Sequence, residues 1–484
     1  MPEIIDPWHS RPIDVHRWSE HPEVGDVVAR LWEAHFADFV APGRPGPRPR
    51  TSFDGQLRAL ILDLYVAWLT DPTLSIGVPM SSNGWITNSR YNAIGLSKKM
   101  IPLINRAHEV GLIDLARGSF GGPAAMGNRN TRIRAAVPLR EMFEAVRFTR
   151  ADIGQHPATE SIILKDRDTL LEYVDTAETT AMRQRLTAYN ELLTQTFIDI
   201  PTLEEPYIDR PVAGGPGEGE TDRVCIADDR KFVRRIFSRG RWDRNGRFYG
   251  PWWQQVGSDW RSKIFIDDVP TVEVDFKGLH VTLLSLEQGV RLADDPYTLP
   301  DHVLPGAPPA LQRNIIKTLI LKAINAPETG SAFRSFRNDW PRGHMAKGLT
   351  NRELSALIEQ FLIQHPHLDG LLCADHGIRL MYVDSLITDH VLTTATGAGL
   401  PVLGVHDSFV VPYDHVARIK ALMTEAAVAV VGAELPVTAS FQGLDEIEAD
   451  YADDYRAFRD RPRTAGYPAR RTDHQRRYPG RLAA

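Results

Sequence analysis

Two aspartates set in apolar, β-branched surroundings are the residues of this chain best suited to chemistry. Asp407 lies in GVHDSFVVP, residues 404–412, with LPVLGV before the His406-Asp407 pair and FVV beyond it. The run reads as strand, turn, strand, and a carboxylate there is costly unless a cation or hydrogen bonds satisfy it. Asp275 ends the alternating stretch TVEVD, residues 271–275; Lys277 and Gly278 then break the strand, and LHVTLLSLEQG continues as a short helix. Two aspartates on neighbouring strands can hold two Mg2+ ions about 3.5–4 Å apart, the arrangement for in-line phosphoryl displacement. Taken alone, the downstream stretch is equally a plain hairpin with His406-Asp407-Ser408 as its turn.

Between the aspartates lies LQRNIIKTLILKAINAP, residues 311–327, in which Leu311, Ile315, Ile316, Leu319, Ile320, Ala323 and Ile324 recur at helical spacing. Arg313, Lys317, Leu321 and Asn325 form a separate row one turn apart. Two cations so spaced can meet the oxygens of one triphosphate. A solvated basic face is the other reading of the same row.

In this order, the Asp275 strand, the Arg-x-x-x-Lys helix and the His-Asp strand resemble motifs A, B and C of the family-A DNA polymerases and the related single-subunit RNA polymerases. A fourth stretch, Asn245-Gly246-Arg247-Phe248 with Trp253-Gln254-Gln255-Val256 and Arg261, is similar to the segment that precedes motif A in the DNA polymerases. The resemblance covers residues 240–442 in four short motifs. It implies an α+β fold: a right-hand polymerase palm with inserted helical fingers. It also implies nucleotidyl transfer to a DNA primer–template from nucleoside triphosphates. Asp275 and Asp407 would hold two Mg2+ ions, with Mn2+ as a substitute, and the Phe276 carbonyl would add a ligand. Arg313 and Lys317 would bind the triphosphate, His280 and Asn325 would stand beside its sugar, and Arg247, His406, Gln254 and Arg261 would meet the nucleic acid. Three positions depart from the family. His280 stands where the DNA enzymes carry Glu; Leu321, Asn325 and Ala326 replace an aromatic followed by Tyr-Gly; and Ser408 follows His-Asp as in the RNA enzymes.

Other elements must position these groups. The 484 residues suffice for two or three domains, and 43% hydrophobic with 24% charged residues is ordinary for a globular protein. A net charge of -6 means that nucleic acid must be met by local patches. One such patch is Arg230, Lys231, Arg234, Arg235, Arg239, Arg241, Arg244 and Arg247, interleaved with aromatics as a phosphate track would be. Upstream, an amphipathic helix over 56–69, a turn at SSNGW, a helix capped by Ser97 with Met100, Ile101, Ile104, Ala107 and Val110 inward, and two strands around a Gly-rich tip follow the order of a winged helix. Its Lys98, Lys99, Arg132 and Arg134, with Arg117 and Arg129, are natural phosphate contacts.

The expected organisation is an N-terminal extension and linker (1–50), a winged-helix-like DNA-binding domain (51–150), a helical connector or thumb-like region (151–221), the palm and fingers (222–450) and a basic disordered tail (451–484). Cys225 and Cys373 are isolated and form no zinc pattern, the N-terminus lacks a signal layout, and no long apolar run is present, so a cytoplasmic protein without a membrane span is expected. Three functions fit: a DNA polymerase for replication or a mobile element, an RNA polymerase or primase on the same palm, or a non-catalytic DNA-binding initiator.

Overall fold

The computed structural model describes residues 5–6, 9–39, 51–119, 129–211, 221–292, 294–300, 303–440 and 462–479. The Pro-rich linker 41–50, most of the Gly-rich tip, the loop 213–220 and Arg456, Arg459, Arg461 and Arg481 lie outside them. The chain forms two compact units that interleave in sequence: 1–161 with 205–232 and 250–256, and 162–204 with 233–249 and 257–484. The expected boundaries at 151 and 222 therefore do not mark them. Position 222 falls inside an antiparallel hairpin of the first unit, Tyr207–Pro211 with Thr221–Cys225.

In the first unit, β1 (Ser10–Pro12) precedes α1 (Pro22–His35), α2 (Thr51–Thr70), β2 (Ser75–Val78), α3 (Met100–Glu109), β3 (Ile113–Ala116), β4 (Thr131–Ala135) and α4 (Val137–Glu144). The sheet runs β1-β2-β4-β3, with β1 parallel to β2 and the other pairs antiparallel. Leu57, Leu60 and Leu64 of α2, Leu103 and Ile104 of α3 and Ile133 of β4 share one core. α3 starts two residues later than its sequence pattern suggests. Ser97 Oγ accepts the Lys99 amide at 3.2 Å, so Lys98 and Lys99 form the turn before the helix. Leu103 rather than Ile101 or Val110 completes its buried face.

A charge network that periodicity does not reveal ties the excursion 205–232 into this unit. Asp63, fully buried in the middle of α2, accepts from Arg11 at 2.6 and 3.0 Å, from Arg17 at 2.9 Å and from the Asp14 amide at 3.0 Å. Arg17 also reaches Asp229 at 2.7 Å, and Arg150 meets the same carboxylate at 2.9 Å. Burial alone would raise the Asp229 pKa; the two guanidinium groups instead hold it well below the usual carboxylate range.

The second unit comprises β5 (Ile162–Asp166), α5 (Ala177–Gln195), β6 (Ile198–Asp199), β7 (Arg234–Phe237), β8 (Asn245–Tyr249), β9 (Phe265–Ile266), β10 (Val269–Phe276), α6 (Leu279–Glu287), α7 (Pro309–Asn325), α8 (Thr329–Asn338), α9 (Asn351–Gln364), α10 (Gly377–Gly397), β11 (Leu403–Val405), β12 (Ser408–Pro412), α11 (Val416–Val431), β13 (Val437–Ser440) and α12 (Gly466–Arg477). Its main sheet runs β11-β12-β10-β9-β6, and β13 also pairs with β10. A second sheet contains β8-β7-β5. Helices α7, α8 and α9 share a core of Ile315, Leu319, Phe333, Phe336, Leu354 and Leu357. The first turn of α8, Thr-Gly-Ser-Ala, is poor in helix formers, so the helix rests on this packing.

α10 packs against β8 and α11. The approach to β8 requires glycine at 246: its φ is +78°, and a Cβ would lie 2.7 Å from Ser385 Oγ. The tail expectation needs a correction, because α12 is ordered and docked. Tyr467 and His474 are buried, Arg470 binds Asp199 at 2.7 Å, and Arg471 and Arg463 bind Asp268 at 2.8 and 3.0 Å. A polar, Arg-rich sequence folds here because its cations find aspartates on the sheet.

Candidate active site

β10 and β12 are antiparallel with Asp275 opposite Ser408, while Val405 of β11 also pairs with Ser408. His406 and Asp407 therefore form the two-residue turn of a hairpin, and Asp407 immediately precedes the residue facing Asp275. His406 has φ +60°, at the first central position of a hairpin turn, where glycine is the usual occupant. Such strain persists only where the surroundings enforce it. Here Thr388 of α10 donates to the His406 carbonyl at 3.1 Å, and the ring of Tyr249 on β8 meets the imidazole edge-on at 5.6 Å.

Both aspartates are half-buried. Burial, then the negative charge of Asp407, push the Asp275 carboxyl up to about 8, with Glu273 adding to the effect and Lys317 of α7 opposing it. A pair of carboxylates that repel one another in a partly dry site fits a divalent cation, whose charge would let both ionise. Among the described residues no cluster of three or more His, Cys, Asp or Glu side chains forms a metal site. The candidate ligands are thus Asp275, Asp407 and, from the resemblance alone, the Phe276 carbonyl.

Lys317, half-buried on α7, is near enough for its charge to act on Asp275. Arg313, one turn earlier and exposed, is held bidentately by Asp295 at 2.7 and 2.8 Å. Burial raises the Asp295 pKa, but the bonds from Arg313 and Thr298 outweigh it and hold the carboxyl below its ordinary range. Beneath that ion pair, 6.0 Å from the guanidinium, lies the ring of Tyr297. Tyr297 is buried, and among the described residues its hydroxyl has no hydrogen-bond partner. Burial, Asp295, Asp407 and Asp275 all raise its pKa. Gly278, with φ +55°, lies against the residue before this tyrosine: a Cβ there would come 3.0 Å from Pro296 Cγ. Neither Asp295 nor Tyr297 has a periodicity or spacing that marks it in the sequence.

The residues expected beside the sugar each have partners within the protein. His280 is buried, with Nε2 3.0 Å from Asp384 and 3.2 Å from Arg247. Asn325 donates to the Leu321 carbonyl at 2.7 Å and abuts Gly377, where a Cβ would come within 1.9 Å of its Oδ1. Arg247 donates to Asp384 at 2.9 and 3.0 Å through Nε and makes a further bond through Nη2. Burial lowers the pKa of Arg247; Asp384 and Asp407 more than restore it. His406 is pulled down by burial and by Arg247. Arg261 forms a fork on Glu273 at 3.0 and 3.2 Å, and Gln254 belongs to the first unit while Arg247 and Arg261 belong to the second.

Several cations of the basic run 230–247 have acidic partners. Lys231, Arg235, Arg239 and Arg241 bind Asp228, Asp389, Asp375 and Asp243 at 2.6, 3.0, 2.5 and 2.7 Å, and the run is divided between the two units. In the first unit Lys98 is exposed, and Lys99 stands over the Phe53 ring at 5.1 Å. Arg132 donates to Ser10 at 3.3 Å. Arg134 is buried and bound to its cross-strand partner Asp114 at 3.1 Å, so it is withdrawn as a phosphate contact. No protein-family model and no curated protein sequence matches this chain.

Proposed function

We propose that the second unit is a template-directed nucleotidyltransferase, in first place a DNA polymerase, built as a palm with α7–α9 as fingers. The observation that carries this reading is the placement of Asp275 at the end of β10 beside the β11–β12 turn that holds Asp407, where the two carboxylates repel and the charge of Lys317 acts on Asp275. Asp275 and Asp407 would hold two divalent ions; when bound, these lower the pKa of a primer 3′-hydroxyl and neutralise charge on the α-phosphate. Lys317 would meet the triphosphate beside the carboxylates, preorganised by its place on a packed helix. Arg313 would take the outer phosphates in a bidentate grip in place of Asp295. Arg247, fixed by Asp384, keeps a positive charge beside Asp407 and orients the turn toward the primer terminus.

Extension of a labelled primer–template with dNTPs or NTPs, in Mg2+ or in EDTA, tests the proposal. Extension should need Mg2+ and fall by at least about 1,000-fold in Asp275→Ala and in Asp407→Ala, with circular dichroism unchanged. Wild-type rates in either variant would overturn the assignment. A preference for NTPs would make the enzyme an RNA polymerase or primase, and DNA binding without extension would leave an initiator on a palm scaffold.

A further inference from the structure

The turn that carries Asp407 is strained at His406, and a relay on the β10 side secures its far end. Ser408 Oγ donates to Glu273 Oε1 at 2.6 Å and also lies 3.1 Å from the Val405 carbonyl at the other side of the turn. Glu273 shares a strand face with Asp275, two residues away, and Arg261 forks onto it through Nε at 3.0 Å and Nη2 at 3.2 Å. All three side chains are at most one-fifth exposed. The charge of Glu273 still raises Asp275, but a third carboxylate beside the pair would ordinarily also compete for a cation. Here its oxygens are occupied by a guanidinium and a hydroxyl.

We propose that Glu273 is a positioning residue. Through Ser408 it fixes the register of the Asp407 turn, and Arg261 holds it in place, so that Asp275 and Asp407 hold the cations without it. The assignment rests on reading that pair as a cation site. Partners that orient a metal ligand without touching the metal typically contribute about 10–100-fold in affinity. Arg261 then acts on the cation site rather than on the duplex.

The test uses the full chain and Mn2+ alone as the probe, with free Mn2+ read by electron paramagnetic resonance, beside the Mg2+ dependence of primer extension. Ser408→Ala should weaken Mn2+ binding about tenfold and raise the half-saturating Mg2+ in step, with the rate at saturating Mg2+ less affected. Ser408→Thr, which keeps the hydroxyl on a strand, should recover wild-type affinity. Glu273→Ala should match Ser408→Ala, and the double variant should be no worse than either, because one relay is broken once. Additive losses, or Mn2+ affinity in Ser408→Ala within about twofold of wild type, would overturn the relay. Mn2+ binding that depends on Asp275 and Ser408 in a chain that extends no primer would keep the relay and sink the polymerase reading. Extension with no response to Ser408→Ala would do the reverse.

Discussion

Asp275 is an acid whose protonation should be felt in stability. Its folded pKa is raised to about 8 from an ordinary value of 3.8, so the folded chain holds a proton that the unfolded chain has released. Without divalent ions, stability should therefore fall as pH rises from about 4 to about 8. Thermal melts in EDTA across that range check the slope. Mg2+ should restore stability most at the alkaline end, and Asp275→Asn should flatten the dependence. Tyr297 makes a second case. Removing a buried hydroxyl that has no partner should leave the ligand-free chain as stable or stabilise it by up to about 1 kcal/mol. Tyr297→Phe should then show an unchanged or higher melting temperature, and a raised KM for nucleotide if the substrate supplies that partner. The two catalytic candidates were legible because an aspartate ending an apolar strand is locally anomalous. Glu273, Asp295 and Asp384 were not, because each looks like an ordinary surface carboxylate until a distant arginine meets it.

The elements that place the site followed their sequence patterns closely where one face was uniformly apolar: α7 and β10 lie where the spacing puts them. The pattern failed where polar residues sat inside. Arg134 is the clearest instance, a strand residue that alternation and charge both mark as solvent-facing. Its side chain is 5% exposed and its partner is Asp114 on β3. Arg134→Ala should destabilise the first unit by about 3 kcal/mol, since breaking such a pair strands a charge, and denaturant melts of the full chain measure it. Lys98, Lys99 and Arg132 should behave differently. Their triple replacement by alanine should leave the melt within about 0.5 kcal/mol. It should weaken duplex binding by the full chain and flatten its salt dependence, because phosphate contacts release counterions. Affinity and salt dependence equal to those of the wild type in the triple variant would make the first unit a structural or protein-contact module.

At the scale of the molecule, the interleaving of the two units was invisible to sequence. Composition marks linkers, whereas the chain crosses between units at 161, 204, 232, 249 and 256 without a Gly- or Pro-rich seam at every crossing. What holds the excursion 205–232 is the burial of Asp229 between Arg17 and Arg150, which needs the fold to exist before it can be read. The same holds for α12, whose composition reads as disorder. Its register on the second unit is set by Arg470 on Asp199, Tyr467 on Asp268 and the stacking of Tyr467 and His474 on Phe197. Among the described residues, β6 ends the main sheet of that unit. Without α12 the Phe197 ring beside that edge would lose Tyr467 and His474, and Asp199 its guanidinium partner, leaving an apolar spot on which another chain could settle. A chain ending before residue 462 should express with the same far-ultraviolet spectrum, melt several degrees lower and aggregate in light-scattering assays as it warms. The C-terminal arginines would then serve as a guard on a sticky edge: their charge is spent on keeping copies of this protein apart.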